Sequence, residues 1–468
     1  MNEKKAFIKS TIAYFFGNIL SKLIVFFMLP LYTAYISPAD YGYYDLTKTY
    51  IDLFCSILFL DIWSGTLRFM FDSNQHSDKF KTIYSSLLIY GSSTILYLLS
   101  FSVLNAVIGI KYFPLVLIYG VCITLQSLYG YIARGFSKNT LFAISGFIST
   151  VVTVLLNIIL ISFLKTSYWS LYVASSIGIL VQVIILELSV KLIPNFSLKL
   201  IDINLTKKLF RFSIPLCLNS AAYWFLTSYN RIAIVNTLGE TQNGYFAVAG
   251  KFAIAINLVG TCFTLAWQET AFKKEGQNEG SGKFYSEASS LYVKFLFLGT
   301  ICLIPLIGIF FKYIVNDAYI SAKSLIPLSL LGTAISLYCV FLGNIFGAIK
   351  KNSTIFISTM SAGIANVAVI YLLINHIGVQ AANISFLIGY TINCIIRVVM
   401  LNKKIGFKLS YKPIILYILL FAVVTYIFQT QSLITNAITL LIVVILTFVT
   451  FKDVIKSILT GLKQKESF

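Results

Sequence analysis

Residues 209–251 read LFRFSIPLCLNSAAYWFLTSYNRIAIVNTLGETQNGYFAVAGK: a hydrophobic helix, a tight LGETQNG turn and the start of a second hydrophobic helix. Two permanent cations, Arg231 and Lys251, stand in this apolar setting. Residues 7–50 repeat the plan near the other end of the chain. There a hydrophobic run containing Lys22 leads through ISPADYG, at 36–42, into a helix start carrying Lys48. Aligning the two turns sets Gly42-Tyr43 over Gly244-Tyr245. One hairpin built twice, charged in both copies, predicts a membrane chain that holds an anionic group between them.

Composition supports the membrane setting. Of 468 residues, 58% are hydrophobic and only 11% are charged, and the mean hydropathy is +0.85. A soluble protein of this size needs far more polar surface. Apolar runs recur along the whole chain, each long enough to cross a hydrocarbon layer of roughly 30 Å as a helix. The alternating segments of about ten residues that would mark a β-barrel are absent. The expected fold is all-α and polytopic, with spans near 10–35, 43–67, 82–109, 112–133, 141–164, 168–192 and 210–237. Seven more fall near 243–270, 288–311, 323–349, 353–375, 379–401, 413–429 and 433–451, making fourteen. The basic head of the chain runs into an apolar stretch too long for a cleaved signal, and reads as a retained first helix.

The repeat reaches beyond the hairpins. GYIARGFSKNTLFAISGFIST from Gly130 resembles GNIFGAIKKNSTIFISTMSAG from Gly343, each with a Lys-Asn turn between two helices. Helices 1–6 and 7–12 then form two copies of one bundle. Six is even, so both copies insert the same way, with the pseudo-two-fold along the membrane normal. The expected lobes are 1–200 and 201–408, followed by a helix pair and cytoplasmic tail at 409–468.

The net charge of +19 is a topology signal rather than a nucleic-acid footprint. With the N-terminus inside, 27 of the 36 Lys and Arg, Arg397 among them, are counted on the inner side, and four, Lys111, Lys165, Lys312 and Lys323, on the outer side. That asymmetry places both termini in the cytoplasm, with contact to anionic lipid as a secondary use.

Lys22, Lys48, Arg231 and Lys251 lie within spans, where each would cost about 2.5–3.5 kcal/mol facing lipid. They are therefore expected to face a wet cavity or paired acids. Asp45, Lys48 and Asp52 follow the i, i+3, i+7 spacing of one helix face. Two readings stand: an internal lock in which Asp45 and Asp52 neutralise Lys48, or a site for an anionic ligand. Arg231 and Lys251 favour the second, because their half of the chain has no acid at comparable depth. Glu269 lies at the cytoplasmic end of its helix. Phosphate suits both cations. Asp61 and Arg68 form either an inner gate or a snorkelling pair. Tyr41, Tyr43 and Tyr44 read as an interfacial belt, while Tyr223, Trp224 and Trp267 also suit sugar stacking. The seven cysteines lie in apolar runs without CxxC spacing, and His76 and His376 fall on opposite sides. No metal, cofactor, P-loop or nucleophile elbow is indicated. The chain reads as no enzyme, driven by a proton or sodium gradient or by substrate supply.

LPLYTAYISPADYGYYDL (29–46), LDIWSGTLRFMFD (60–72), RIAIVNTLGETQNGYFAVAGKFA (231–253) and the Arg-Gly-x-x-Lys-Asn turn at 134–139 resemble one family. It is the polysaccharide-export branch of the multidrug/oligosaccharidyl-lipid/polysaccharide exporter superfamily, the Wzx-type flippases. The resemblance implies a V-shaped pair of six-helix lobes around a cavity opening alternately to each side of a bacterial cell membrane. It implies a polyprenyl-diphosphate-linked oligosaccharide as substrate, whose diphosphate meets the cavity cations while its tail stays in the bilayer. Other polysaccharide-assembly membrane proteins would be its partners. The sequence departs from the family at 230–231, where Asn-Arg stands in place of Asp-Arg, which puts ion coupling at that position in question. Lipid II flippases of the MurJ type and teichoic-acid exporters are the nearest alternatives. A multidrug antiporter would carry a cavity dominated by acids, and a membrane polymerase a large external loop.

Overall fold

The computed structural model describes residues 20–72, 75–275, 281–349, 351, 353–429 and 432–465. The side chains of His76, Cys262 and Glu269, and the residues Lys350 and Asn352, lie outside the described set. The described residues form helices joined by short turns and loops, without a strand. Among the described residues, eleven helices are long and apolar enough to cross a membrane, and a twelfth span forms if Pro38–Leu58 and Ile62–Phe71 count together. The described part of the first span, Leu20–Tyr35, is short, and Ile203–Thr227 is interrupted by Pro215. The fourteen spans read from sequence remain an expectation.

The chain packs as two compact units, 1–251 with 356–392 and 252–355 with 393–468. In the first unit, both hairpins have sharply specified starts. Ser37 caps Pro38–Leu58 by accepting from the Asp40 amide at 3.2 Å, and Pro38 takes the first turn, where a missing N–H costs nothing. Leu60 and Asp61 then adopt left-handed backbone, with φ of 54° and 49°. The chain bends by 47° into Ile62–Phe71. In the second hairpin, Asn230–Leu238 ends at Gly239, whose φ of 90° only glycine adopts readily, and Glu240–Phe252 begins at once.

The two hairpin turns touch. A β-carbon on Gly42 would lie 1.9 Å from the Glu240 carbonyl oxygen, and one on Gly244 would lie 1.9 Å from that of Pro38. Each glycine of the aligned pair thus seats against the backbone of the other copy's helix start. Asn243 Nδ2 donates to the Gly42 carbonyl at 2.7 Å and closes the crossing. Below it, Asp202 caps Ile203–Thr227 through the amides of Asn204 and Leu205. It also pairs with Lys81 at 2.9 Å. The Lys81 ammonium and those amides hold the Asp202 carboxyl below its ordinary range.

The second unit is built on an aromatic stack. Trp267 lies 4.4 Å from Phe341 and Phe263 lies 4.0 Å from Tyr292, centroid to centroid. Tyr411–Gln429 and Leu433–Lys465 pack on Ser281–Ile314. The repeated Lys-Asn turns also match in backbone detail. Lys138 N donates to Ala133 O, and Lys351 N to Phe346 O, both at 2.9 Å. These are the same bond at the same offset in the two copies.

Candidate functional site

The charged residues of the two hairpins gather within the first unit. Asp45 lies two turns into Pro38–Leu58, and Arg231 near the start of Asn230–Leu238. Arg231 Nε donates to Asp45 Oδ2 at 2.6 Å, with the two side chains only 26% and 17% exposed. Its Nη1 donates to the Thr227 carbonyl at 3.2 Å, and the guanidinium lies 5.6 Å from the Phe246 ring centroid. The pair joins the two copies of the hairpin directly. It also reassigns Asp45, which the helix-face spacing gives to Lys48. Arg231 has its acid after all, supplied by the other copy rather than by its own half.

Lys48 is half-buried one turn beyond Asp45, within electrostatic reach of Asp52, Asp45 and Arg231. Lys251, at the end of Glu240–Phe252, feels Lys48, Asp45 and Arg231. Neither ammonium forms an ion pair among the described residues. Asp45 is thus within electrostatic reach of Arg231, Lys48 and Lys251, and Asp52 of Lys48 and Arg231, so three basic groups stand against two acidic ones, an excess of one. A low-dielectric setting magnifies that excess.

Beside the cluster opens a cavity of about 380 Å³. Asp52 and Ser56 line it from the first hairpin; Asn219, Ser220, Tyr223 and Ser228 line it from the helix before Arg231. Amide, hydroxyl and phenol groups of this kind bind sugar hydroxyls, and Tyr223, 53% exposed, offers an open ring face. Asn219, Ser220 and Ser228 escape a reading that looks only for charge. Yet Ser220, Tyr223 and Thr227 recur at i, i+3, i+7, the signature of one polar helix face in an apolar run. A second cavity of about 350 Å³ in the same unit is polar but uncharged, lined among others by Gln126, Ser149, Thr150 and Gln182.

Other sequence candidates fall elsewhere. Lys22 is exposed and forms no ion pair among the described residues. Asp61 accepts from Ser64 Oγ at 2.9 Å, while Arg68 pairs with Asp72 at 2.5 Å. The two do not pair with each other. Tyr41 and Tyr43 are buried, not belted at an interface: Tyr43 Oη accepts from the Lys111 amide at 2.7 Å, and both rings pack on other tyrosines. Trp224 and Trp267 are core residues, with Nε1 donating to the carbonyls of Thr49 and Phe341. Trp224 still lines the cavity beside Tyr223, while Trp267 stands in the aromatic stack of the second unit.

At 230–231, where the sequence departs from the family, Asn230 is held by neighbouring polar groups. Its Nδ2 donates to the Ala382 carbonyl at 2.8 Å, Ser385 Oγ at 3.1 Å and Asn366 Oδ1 at 3.3 Å, in a fully buried network. Asn366 Nδ2 donates back to Asn230 Oδ1 at 2.9 Å, so the amide serves this network both as donor and as acceptor.

Residues 7–267 match the family model described as polysaccharide biosynthesis protein. No curated protein matches the chain by sequence. Among solved structures, the lipid II flippase MurJ in an inward closed conformation superposes with a TM-score of 0.72 at 15% identity. The alignment covers 96% of this chain and all of that one. An inward-facing multidrug resistance MATE transporter of the MOP superfamily gives 0.65 at 15% identity, over 82% of this chain and 94% of the other. Its outward-facing counterpart gives 0.57 at 14%, over 86% and 96%. These are transporters and flippases, not enzymes. With more than half its length matched by the family model, and a fold shared with MOP-superfamily transporters, the chain belongs to the polysaccharide biosynthesis protein family.

Proposed function

We propose that the chain is a flippase moving a polyprenyl-diphosphate-linked oligosaccharide from the inner to the outer leaflet of a bacterial cell membrane. In this reading the lobes 1–200 and 201–408 alternate access, with 409–468 outside the repeat and both termini in the cytoplasm. The observation that carries it is the convergence of Arg231, Lys48 and Lys251 on only two carboxylates, beside a sugar-compatible cavity. A diphosphate supplies the missing negative charge. The oligosaccharide finds Asn219, Ser220, Tyr223 and Ser228. Arg231, already held by Asp45, presents its remaining guanidinium N–H groups, while Lys48 and Lys251 act as point charges. Asp52 faces the cavity without an ion pair of its own among the described residues, and is the group to exchange a proton or sodium ion with a gradient.

A second reading draws on the likeness to MurJ, whose name says that it flips lipid II. Lipid II and teichoic-acid precursors present the same diphosphate-sugar chemistry to the same cations. Depleting the protein separates these substrates by which lipid-linked intermediate accumulates on the inner leaflet. The site itself is tested by Lys251→Ala, which removes a cation without stranding an acid. The variant should reach the membrane in normal amounts and lose export by about tenfold or more, the factor that about 1.4 kcal/mol of lost phosphate contact makes. Full export by a Lys48→Ala/Lys251→Ala double variant at normal expression would sink the anionic-substrate site.

A further inference from the structure

Lys323 is counted among the outer loop charges by sequence, yet the structure buries it to 6% exposure in the second unit. It sits in the 3-10 segment Asp317–Leu325, with its ammonium 4.9 Å from the Phe428 ring centroid. Among the described residues it has no carboxylate and no hydrogen-bond acceptor. Asp317, in the first turn of the same segment, pairs with no lysine there. The Lys323 side chain instead lines a pocket of about 100 Å³, and Lys312, in the last turn of Ser281–Ile314, lines it too. The remaining walls are largely apolar and include Ile309, Phe311, Ile320 and Leu433.

A buried ammonium without an anion is costly, and one aromatic face offsets only part of that cost. Two lysines lining one small pocket suit a compact anion, and lysine binds phosphate well as a point charge. The position supplies the rest. The pocket lies where Ser281–Ile314 ends and Leu433–Lys465 begins, so it sits at the level of helix ends rather than at the middle of a span. That is headgroup depth. Next to it the last helix turns Leu433, Ile434 and Ile438 outward, each more than half exposed, an apolar track for a hydrocarbon chain. We propose that this pocket binds the phosphate of a membrane lipid headgroup, its chain lying along the start of Leu433–Lys465. The site is separate from the charged hairpins and does not rest on the flippase reading.

Native mass spectrometry of the purified full chain tests it with three probes: phosphatidylglycerol, diacylglycerol without phosphate, and inorganic phosphate without a lipid. The wild type should hold phosphatidylglycerol through delipidation and fail to hold diacylglycerol. Lys323→Met keeps the stem on Phe428 and removes the charge, and should lower phosphatidylglycerol retention about tenfold. Lys312→Gln should lower it less, and Lys323→Arg should retain it. Equal retention by Lys323→Met and wild type would overturn the site, as would equal retention of diacylglycerol. Inorganic phosphate that raises the melting temperature as much as phosphatidylglycerol would make this a free-anion site and overturn the lipid assignment. If Lys323→Met does not fold, undiminished retention by Lys312→Gln overturns the proposal in its place.

Discussion

At the residue scale, the decisive contact is Arg231 with Asp45. It serves structure and leaves charge for a ligand, so the two roles separate only in a designed exchange. Arg231→Ala alone strands a half-buried carboxylate and should cost about 3 kcal/mol, the low end for breaking a buried pair. Asp45→Arg with Arg231→Asp restores the pair with its polarity reversed. We expect that double variant to recover most of the lost thermal stability but not export, because the guanidinium has moved from one hairpin to the other. Recovery of both would reduce the pair to a structural lock. The cations were legible as charges out of place in apolar runs. Their partners were not, since helix spacing pairs residues within one helix and Asp45 reaches across to another. Lys323 and Arg397 show the opposite failure. Both were counted with the loop charges, yet both are buried; Lys323 opens a span without a local mark, whereas Arg397 stands in the apolar run TINCIIRVVML, where its burial could have been read.

At the element scale, the hairpin plan could be read from sequence because its turns carry their own chemistry: Ser37 and Pro38 at one helix start, Gly239 at the other. The bend at 59–61 could not. Neither proline nor glycine marks it, and left-handed Leu60 and Asp61 are held by what surrounds them rather than by preference. Tyr41 and Tyr43 misled for a related reason, since an aromatic near a turn suits both a membrane interface and a buried cluster. The crossing of the hairpins yields a sharp expectation. Gly42→Ala places a methyl group against the backbone of Glu240, and no side chain can move aside to admit it. It should lower stability by about 1–3 kcal/mol, the usual cost of overpacking, read as a fall in melting temperature. Gly91→Ala, with nothing within 4 Å, should not. An unchanged melting temperature in Gly42→Ala would mean that the hairpins do not meet as described.

At the scale of the whole molecule, the all-helical membrane class follows from composition, and the duplication from two pairs of similar turns. The span count is harder, because helices that bend or carry polar faces blur the hydropathy on which counting depends. Orientation rests on the charge asymmetry, which persists when the buried Lys323 and Arg397 are set aside. Single cysteines at Glu240 and His376 should react with an impermeant thiol reagent in intact cells, and those at Gln277 and Lys404 should not. Labelling at Gln277 would invert or break the proposed topology. The glycine crossing also bears on how the two similar hairpins can diverge over time. Each copy's glycine rests on the main chain of the other, so a side chain gained by one meets a carbonyl that no substitution in the other can withdraw. Two positions far apart in the gene are therefore each held fixed by the other's main chain: either hairpin can drift elsewhere, but a change at one glycine is not relieved by a change at the other.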